Sequence, residues 1–460
     1  MKFDICASGR LTGTVTLPGD FRLTLASMAL GMVSGEKVTL FNPSPAPGAQ
    51  NFRAFLENSG AVISPVPSGF AMQGKPYEGE TVLPPEIPDE IFHIVVSSAL
   101  FFSDSLCIVN GAGKRAPLLK PLLNLLPNIG FRNLTVSEDG EDVLLTGNGF
   151  TPPTAVSVSG AWEFEAITAA ALSARKPISL RYPPIVVSHD LRLLDALGIS
   201  GKELNGESGQ ENELARRLAR VSGEKPLEER HFSWECKSSV IRIPGDVLLG
   251  SALAGAAATT QGSEVMLTQM LWETGRRGFF DALRRMKGSV EVKQKPRETT
   301  ERSKPETEYS FETADIRIGW SRLEGIRVTP VQASTMNEEL MILGSVAVSA
   351  LGETVIHEGE AEPFSRSGDF KLLKEGLLAL GAHLGDFSDG IVVKGPSPEL
   401  KGDLADSGGK PEIALALAVA GMSASGTTSV FGFDEDMYPL HEFLVGIREI
   451  KECKFFTEKE

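Results

Sequence analysis

The chain has 460 residues, of which 42% are hydrophobic and 23% charged. This composition is typical of a globular protein and excludes a disordered chain, and no apolar stretch reaches the ~20 residues that a membrane helix needs. A net charge of −15 argues against a general nucleic-acid binder but leaves open a local site for a small anion.

The N-terminal residues 1–9 predict a strand. They lack the apolar core of a signal peptide, so we expect a cytoplasmic protein with no membrane contact. The four cysteines lie far apart without a C-x-x-C pair, and the six histidines lack ligand spacing. We therefore predict neither a metal nor a cofactor.

From residue 12 onward one segment of the chain occurs in six copies. Its first copy, residues 12–42, joins an alternating apolar run, a polar turn, a helix of small apolar residues, a glycine stop and a second alternating run. The other copies begin near residues 81, 155, 240, 326 and 402. Such self-similarity indicates one supersecondary unit copied at a period of roughly 70–85 residues.

Each copy predicts the same order of elements. In the first copy, residues 23–33 predict a helix buried on most sides, since small apolar residues surround it. Gly35 ends that helix, and residues 38–41 predict the next strand. A second, amphipathic helix and a hairpin follow, and the second helices are predicted at residues 52–58, 118–126, 191–197, 279–286, 372–380 and 440–447.

Two polar stretches interrupt this pattern. Residues 201–237 separate copies three and four and indicate a boundary or a surface excursion. Residues 293–309 contain almost nothing apolar and predict a mobile surface loop. A chain of this length is expected to form two domains, and six units could form one ring or two groups of three.

The first copy resembles the start of the enolpyruvyl transferase family: a strand, Leu17-Pro18-Gly19, a polar turn, a small-residue helix and a glycine stop. The closer branch is 3-phosphoshikimate 1-carboxyvinyltransferase, or EPSP synthase. The resemblance implies an α/β (α+β) fold of six β-α-β-α-β-β units, an inside-out α/β barrel in two three-unit domains. The implied domains are residues 19–241 and residues 1–18 plus 242–460.

The resemblance also implies a ligand and a place for it. The family binds phosphoenolpyruvate and a phosphorylated alcohol between its domains, where helix N-termini and basic side chains attract anions. We therefore expect a small anionic metabolite as the partner, and the sequence leaves the oligomeric state open. A carboxylate moves protons in this family, and the matching position is Glu338.

The expected substrate-binding residues follow from the family's polar turns. They are Arg22, Lys114, Arg115, Glu163, Arg366 and Lys410. Several of these turns have changed. Phe21 stands where the family has a lysine, Glu163 falls in its phosphate-binding Ser-Ser-Gln, and Asp436 replaces another lysine. Asp246 is predicted to cap a helix N-terminus rather than to react.

Three interpretations remain open. The first is a divergent enolpyruvyl transferase-like protein with rebuilt contacts to an anionic ligand. The second is a catalytically silent relative that binds a metabolite or a protein. The third is a different enzyme on the same scaffold, with Glu338 or Glu163 as a general base.

Overall fold

The computed structural model describes residues 2–6, 9–75, 77–147, 149–183, 188–199, 201–203, 227–295, 308–357, 367–385, 390–397, 400–432, 442–443, 445–447 and 457–458. Six small sheets hold the strands of this described part of the chain, one sheet for each predicted unit. The predicted mixed α/β architecture is confirmed.

Most helices and strands in the N-terminal half of the chain belong to the first three units. Their helices are α1 (Phe21–Ser34), α2 (Pro47–Asn58), α3 (Phe92–Phe102), α4 (Ala116–Ile129), α5 (Ala161–Ala174) and α6 (Ser188–Ala196). The strands in this part of the chain are β1 (Lys2–Cys6), β2 (Thr12–Thr16), β3 (Lys37–Phe41), β4 (Val62–Val66), β5 (Gly69–Gln73), β6 (Glu80–Leu83), β7 (Ser105–Ile108), β8 (Thr135–Asp139), β9 (Asp142–Thr146), β10 (Ala155–Ser157), β11 (Ile178–Tyr182), β12 (Gly201–Glu203) and β13 (Glu228–Phe232).

The last three units repeat this order. Their helices are α7 (Val247–Thr259), α8 (Gly278–Arg285), α9 (Pro330–Ala333), α10 (Glu339–Ala347), α11 (Ser367–Ala379) and α12 (Pro411–Ser423). The strands are β14 (Ser239–Arg242), β15 (Glu264–Leu271), β16 (Ser289–Lys295), β17 (Glu308–Ser310), β18 (Thr313–Gly319), β19 (Arg327–Val328), β20 (Gly352–His357), β21 (His383–Gly385), β22 (Gly390–Gly395), β23 (Leu404–Asp406), β24 (Thr427–Phe431) and β25 (Thr457–Glu458).

The first long helix of each unit is buried on almost every side. Helix α5 contacts α1 and α3, and α7, α10 and α12 contact one another. The small residues predicted on these helices permit close approach: a Cβ on Gly255 of α7 would lie 2.9 Å from the Val346 side chain of α10. Two three-helix cores result, with the sheets and the more amphipathic helices packed outside them.

Two strands are exchanged between the two groups of units. Strand β2 pairs with β15 of the fourth unit, and β14 pairs with β3 of the first unit. The segments that leave these strands run past each other, with Asp20 N–H donating to the Pro244 carbonyl (2.8 Å) and Asp246 N–H to the Pro18 carbonyl (2.9 Å). The division into residues 19–241 and 1–18 plus 242–460 would pass through this crossing, and that division stays a prediction.

The predicted elements are found, with longer bounds in several places. Strand β1, at residues 2–6, lies within the predicted N-terminal strand of residues 1–9, and it pairs with β24 in the sheet of the sixth unit. The stretch 201–237 is more than a boundary, because β12 and β13 belong to the third sheet. Both ends of the predicted loop 293–309 belong to strands, since β16 runs to Lys295 and β17 starts at Glu308. Residues 204–226 and 296–307 lie outside the described residues. So do residues 440, 441 and 444 of the predicted helix 440–447, whose described residues 442–443 and 445–447 are helical.

Across the described part of the chain, no helix combines the length and the apolar character that crossing a membrane requires.

Candidate functional site

A cavity of about 410 Å³ lies beside the crossing of the two exchanged segments. The starts of α1, α2, α7 and α12 border it, together with the loops that precede α3, α4 and α10. Both groups of units therefore contribute to its wall. Its charged lining residues are Asp20, Arg22, Glu86, Asp89, Glu90, Lys114, Asp246, Arg276, Glu338 and Glu412.

Asp20 and Asp246 occupy the helix N-termini at the crossing. Asp20 accepts from the Leu23 N–H of its own helix α1 at 2.8 Å, and Asp246 accepts from the Leu249 N–H of α7 at 2.9 Å. The predicted cap at Asp246 is confirmed. Each carboxylate also reaches across: Asp246 accepts from Phe21 N–H at 3.1 Å and Asp20 from Val247 N–H at 3.4 Å. The N–H groups that a bound anion would use at these helix starts are thus bonded to the protein's own carboxylates.

Arg22 lines the cavity but is held from behind by a buried acidic cluster. Its guanidinium lies 3.6 Å from Glu165 of α5, and Glu165 lies 2.5 Å from His93 Nε2 of α3. Burial favours the neutral form of Glu165, but the charge of Arg22 and the hydrogen bond with His93 outweigh it and lower its pKa to about 2. Burial and the charge of Glu165 raise the pKa of neighbouring Asp190 well above its usual value.

Arg276 has a similar arrangement on the other side of the cavity. It forms an ion pair with Glu339 at 3.2 Å, and both side chains are more than nine-tenths buried. Burial opposes the charge of Arg276, yet Glu339, Asp20 and Glu338 together raise its pKa. Glu339 also accepts from the Asn337 N–H at 2.6 Å, which fixes the turn that carries Glu338 into the cavity.

Asn337 connects the two arginines. With the side-chain amide assigned from its hydrogen-bonding partners, so that its oxygen faces the two guanidinium groups, Asn337 accepts from Arg22 Nη1 at 3.1 Å and from Arg276 Nη1. Arg22 follows the first crossing segment, whereas Arg276 and Asn337 belong to units four and five. This amide therefore links arginines from the first and fourth units.

Carboxylates outnumber cations around the cavity, with seven acidic side chains and three basic ones. Burial is the largest cause that raises the pKa of Glu90, Asp246 and Glu412, each to about 7. Neighbouring negative charges add to the effect: Glu338 acts on Glu90 and Glu412, and Asp20 acts on Asp246. The charge of the cavity consequently changes near neutral pH.

The structure brings three of the predicted site residues to this cavity: Arg22, Lys114 and Glu338. Glu338 is the residue directly before α10. Lys410 precedes α12 between two residues of the cavity wall, Gly409 and Pro411, and its ammonium lies 3.4 Å from Asp369. Their roles in binding or catalysis stay predictions.

Two other predicted residues lie elsewhere. Arg115 is buried and donates to the carbonyls of Pro84, Pro85 and Ile87, so it holds the loop that borders the cavity. Glu163 accepts from the N–H and hydroxyl of Ser159 at 2.6 and 2.8 Å, at the start of α5. Arg366 and Asp436 lie outside the described residues.

Sequence reasoning missed the cluster behind the cavity. His93 and Glu165 are titratable residues inside helices whose other residues, apart from Glu163, are small or apolar, and that contrast was the available signal. Asn337 offered no such signal, because its two arginine partners are distant in the chain. Among the residues that the structure describes, no group of three or more His, Cys, Asp or Glu is placed to hold a metal ion.

Comparison with known proteins supports the family resemblance. Residues 228–435 match the family model described as EPSP synthase (3-phosphoshikimate 1-carboxyvinyltransferase). The 3-phosphoshikimate 1-carboxyvinyltransferase of Sulfurihydrogenibium sp. is 31% identical over 40% of this chain and 40% of its own length. The Bacillus cereus (strain AH187) protein of the same name is 24% identical over 91% of this chain and 92% of its own. The match to the Sulfurihydrogenibium protein therefore spans less than two thirds of the length of that protein.

Solved structures give the fold. The EPSP synthase from Acinetobacter baumannii superposes with a TM-score of 0.74 at 17% identity, over 100% of both chains. The enolpyruvyl transferase NikO from Streptomyces tendae superposes with a TM-score of 0.68 at 14% identity, over 98% of this chain and 97% of that one. The predicted enolpyruvyl transferase fold and the resemblance to EPSP synthases are confirmed.

Proposed function

We propose that this chain, which has the enolpyruvyl transferase fold and resembles EPSP synthases in sequence, binds a small molecule in its cleft without transferring an enolpyruvyl group. The observation that supports this proposal is the carboxylate of Asp20, which caps α1 beside the cavity where the resemblance places a serine. Asp246 caps α7 in a Gly-Asp turn like that of the family. In the family these surroundings receive anionic substrates. Here the N–H groups already have anionic partners.

The electrostatics of the cavity support the same conclusion. Arg22, Arg276 and Lys410 each have an acidic partner within 4 Å, so a phosphate would compete with those carboxylates. Two unit charges 4 Å apart interact by about 4 kcal/mol at the effective dielectric constant of protein sites near the surface. One uncompensated carboxylate beside a phosphate would therefore weaken binding by roughly a thousandfold.

A second candidate is a divergent EPSP synthase-like protein that binds an anionic metabolite, such as phosphoenolpyruvate or a phosphorylated alcohol. Arg22, Lys114 and Arg276 line one cavity, which favours this candidate. Glu90, Asp246 and Glu412 have a pKa of about 7, so protonation below that pH would reduce the repulsion. Anion binding by this route would tighten as the pH falls from 8 to 6. On this candidate Glu338 is the residue that would move protons.

Turnover tests the first candidate, because only the second, with Glu338 moving protons, could release phosphate from phosphoenolpyruvate. We expect no phosphate release when the purified chain is given phosphoenolpyruvate and 3-phosphoshikimate, while an active EPSP synthase assayed beside it releases phosphate. Release at an ordinary enzyme rate, of about 1 to 10³ per second, would refute the proposal. A role in the shikimate pathway and the expected cytoplasmic location both stay proposals.

Ligand-induced stabilisation separates the two candidates from each other, because a ligand that binds only the folded state raises the melting temperature. Thermal shifts would be measured with phosphoenolpyruvate, inorganic phosphate, neutral polyols and small amines at pH 6 and pH 8. Stabilisation by phosphates at pH 6 that is lost in Lys114→Gln, but kept in the surface control Lys120→Gln, would establish the anion-binding candidate. Stabilisation by neutral or basic compounds alone would support the first candidate.

A further inference from the structure

We propose that the cavity is selective for a small organic amine, whose ammonium group binds at the carboxyls of Glu90 and Glu412. This inference names the ligand class of the proposed small-molecule site, and it rests on that proposed function. Its support comes from the partners of the two carboxyls, from the charges around them and from the apolar part of the cavity wall.

The two carboxyls reach the cavity from different units. Glu90 lies in the turn directly before α3, in the second unit, and Glu412 lies in the first turn of α12, in the sixth unit. In the part of the chain that the structure describes, no basic side chain lies within 4 Å of either carboxyl. Both acids therefore face the cavity without an ionic partner of their own.

The surrounding charges leave the two carboxyls short of a cation. Burial raises the pKa of Glu90 and of Glu412 to about 7, and Glu338 adds to the effect on both. Arg22 and Lys410 oppose this effect without cancelling it, because each of them is paired with another acid. The remaining charged side chains that act on the two carboxyls are Asp89 and Asp369. A nearby cation favours the ionised form of an acid, so an ammonium group would supply the missing positive charge.

The number of carboxyls suits an ammonium group better than a metal ion. Glu338 acts on both of the other acids, so three carboxyls face the same space, and a primary ammonium group has three N–H donors to offer them. Hydrogen bonds between such ionised groups are among the strong ones. The described residues contain no set of three or more His, Cys, Asp or Glu arranged to hold a metal ion.

The apolar part of the wall provides a surface for the carbon skeleton of the amine. Phe21, Ile87 and Leu248 line the cavity, together with several prolines. The volume of about 410 Å³ lies in the range of small-molecule sites, which combine an apolar wall with a few polar groups. An amine with a compact hydrocarbon body thus meets both parts of the cavity wall.

Three compounds with one carbon skeleton test the ligand class: cyclohexylamine, cyclohexanol and cyclohexanecarboxylate. A compound that binds only the folded state raises the melting temperature, which we would measure at pH 6 and pH 8. We expect cyclohexylamine to stabilise the protein, and to do so more strongly at pH 8, where Glu90 and Glu412 are ionised and the amine keeps its proton. Stabilisation by the carboxylate that equals or exceeds that by the amine would overturn the proposal.

The variants Glu90→Gln and Glu412→Gln, alone and together, test where the ammonium group binds. Calorimetry at pH 8 should show an affinity for cyclohexylamine that falls roughly tenfold in each single variant, the effect of losing one hydrogen bond to a charged group. The matched control Glu375→Gln removes an exposed carboxyl of α11 and should bind the amine as the wild type does. Lys114→Gln removes a positive charge from the cavity and should bind the amine at least as tightly. Unchanged affinity in both single variants would overturn the proposal, and these variants carry the test if the double variant does not fold.

Proton release separates binding at these carboxyls from adventitious binding elsewhere. With a pKa of about 7, each carboxyl is half protonated at pH 7, so binding of an ammonium group should release about one proton in total. Calorimetry in buffers with different heats of ionisation measures this number, and a value of zero would overturn the proposal. Stabilisation by cyclohexanol instead of the amine would refute the ligand class alone, whereas phosphate release in the turnover assay would refute the proposed function.

Discussion

Replacement of Asp246 by asparagine should lower the free energy of unfolding at pH 5 and raise it at pH 8. Burial, and then the charge of Asp20, raise the pKa of Asp246 from 3.8 to about 7 in the folded protein. An acid with a raised pKa holds its proton more tightly in the folded state than in the unfolded chain. Its contribution to stability is therefore complete below pH 3.8 and is lost as the pH rises through 7.

The size of this loss follows from the shift. For pKa values of 3.8 and about 7, the free energy of unfolding of the wild type should fall by about 2 to 3 kcal/mol between pH 5 and pH 8. The substituted asparagine could not ionise, and it would still accept from Leu249 N–H, since asparagine caps helices as well as aspartate does. It would lose the bond from Phe21 N–H, at about 1 kcal/mol. Asp246→Asn should thus be less stable than the wild type at pH 5 and more stable by about 1 to 2 kcal/mol at pH 8.

Urea denaturation at pH 5, 6, 7 and 8 measures the two stability curves. Asp104→Asn, at an exposed position, is the control and should run parallel to the wild type at every pH. The reasoning is wrong if the curves of Asp246→Asn and the wild type keep a constant separation from pH 5 to pH 8.

Three further changes should have distinct effects. Asp20→Asn combined with Asp246→Asn removes both negative charges from the helix starts and should increase affinity for inorganic phosphate at pH 7.5 at least tenfold, or about 1.4 kcal/mol, as measured by calorimetry. Glu165→Leu leaves Arg22 without its buried acidic partner and should lower the free energy of unfolding by about 3 kcal/mol in urea. Gly19→Ala should prevent the crossing, because its Cβ would lie 1.9 Å from a backbone carbonyl oxygen, and the melting temperature should fall sharply or the chain should not fold.

Controls for these changes come from the same chain. Gly368→Ala adds a methyl group where no atom lies within 4 Å and should melt as the wild type does. Unchanged phosphate affinity in the double asparagine variant would contradict the role given to the two carboxylates. A stability loss for Glu165→Leu below about 1 kcal/mol would mean that water, rather than Glu165, compensates the positive charge of Arg22.

The sequence predicted the repeated unit well because each helix and strand depends on local periodicity. The helix predicted at residues 23–33 is α1 (Phe21–Ser34), and the helix predicted at 118–126 is α4 (Ala116–Ile129). The exchange of β2 and β14 could not be predicted in this way, since the pairing of strands more than two hundred residues apart leaves no local pattern.

The candidate site was predicted in position but not in chemistry. The turns that carry Arg22 and Glu338 do reach one cavity. The interaction between Arg22 and Glu165, however, depends on the packing of α1 beside α5, which residue spacing does not define. Arg22, one residue beyond the lysine position of the family, lies at this cavity, whereas its partner Glu165 determines whether that residue is available to a ligand.

The exchanged strands have a consequence for how the protein can be divided into fragments. The first sheet is incomplete until residues 239–242 are added, and the fourth sheet needs residues 12–16. A chain cut near residue 240 would leave each fragment with an unpaired strand edge, so the halves should have to be supplied together to form native particles.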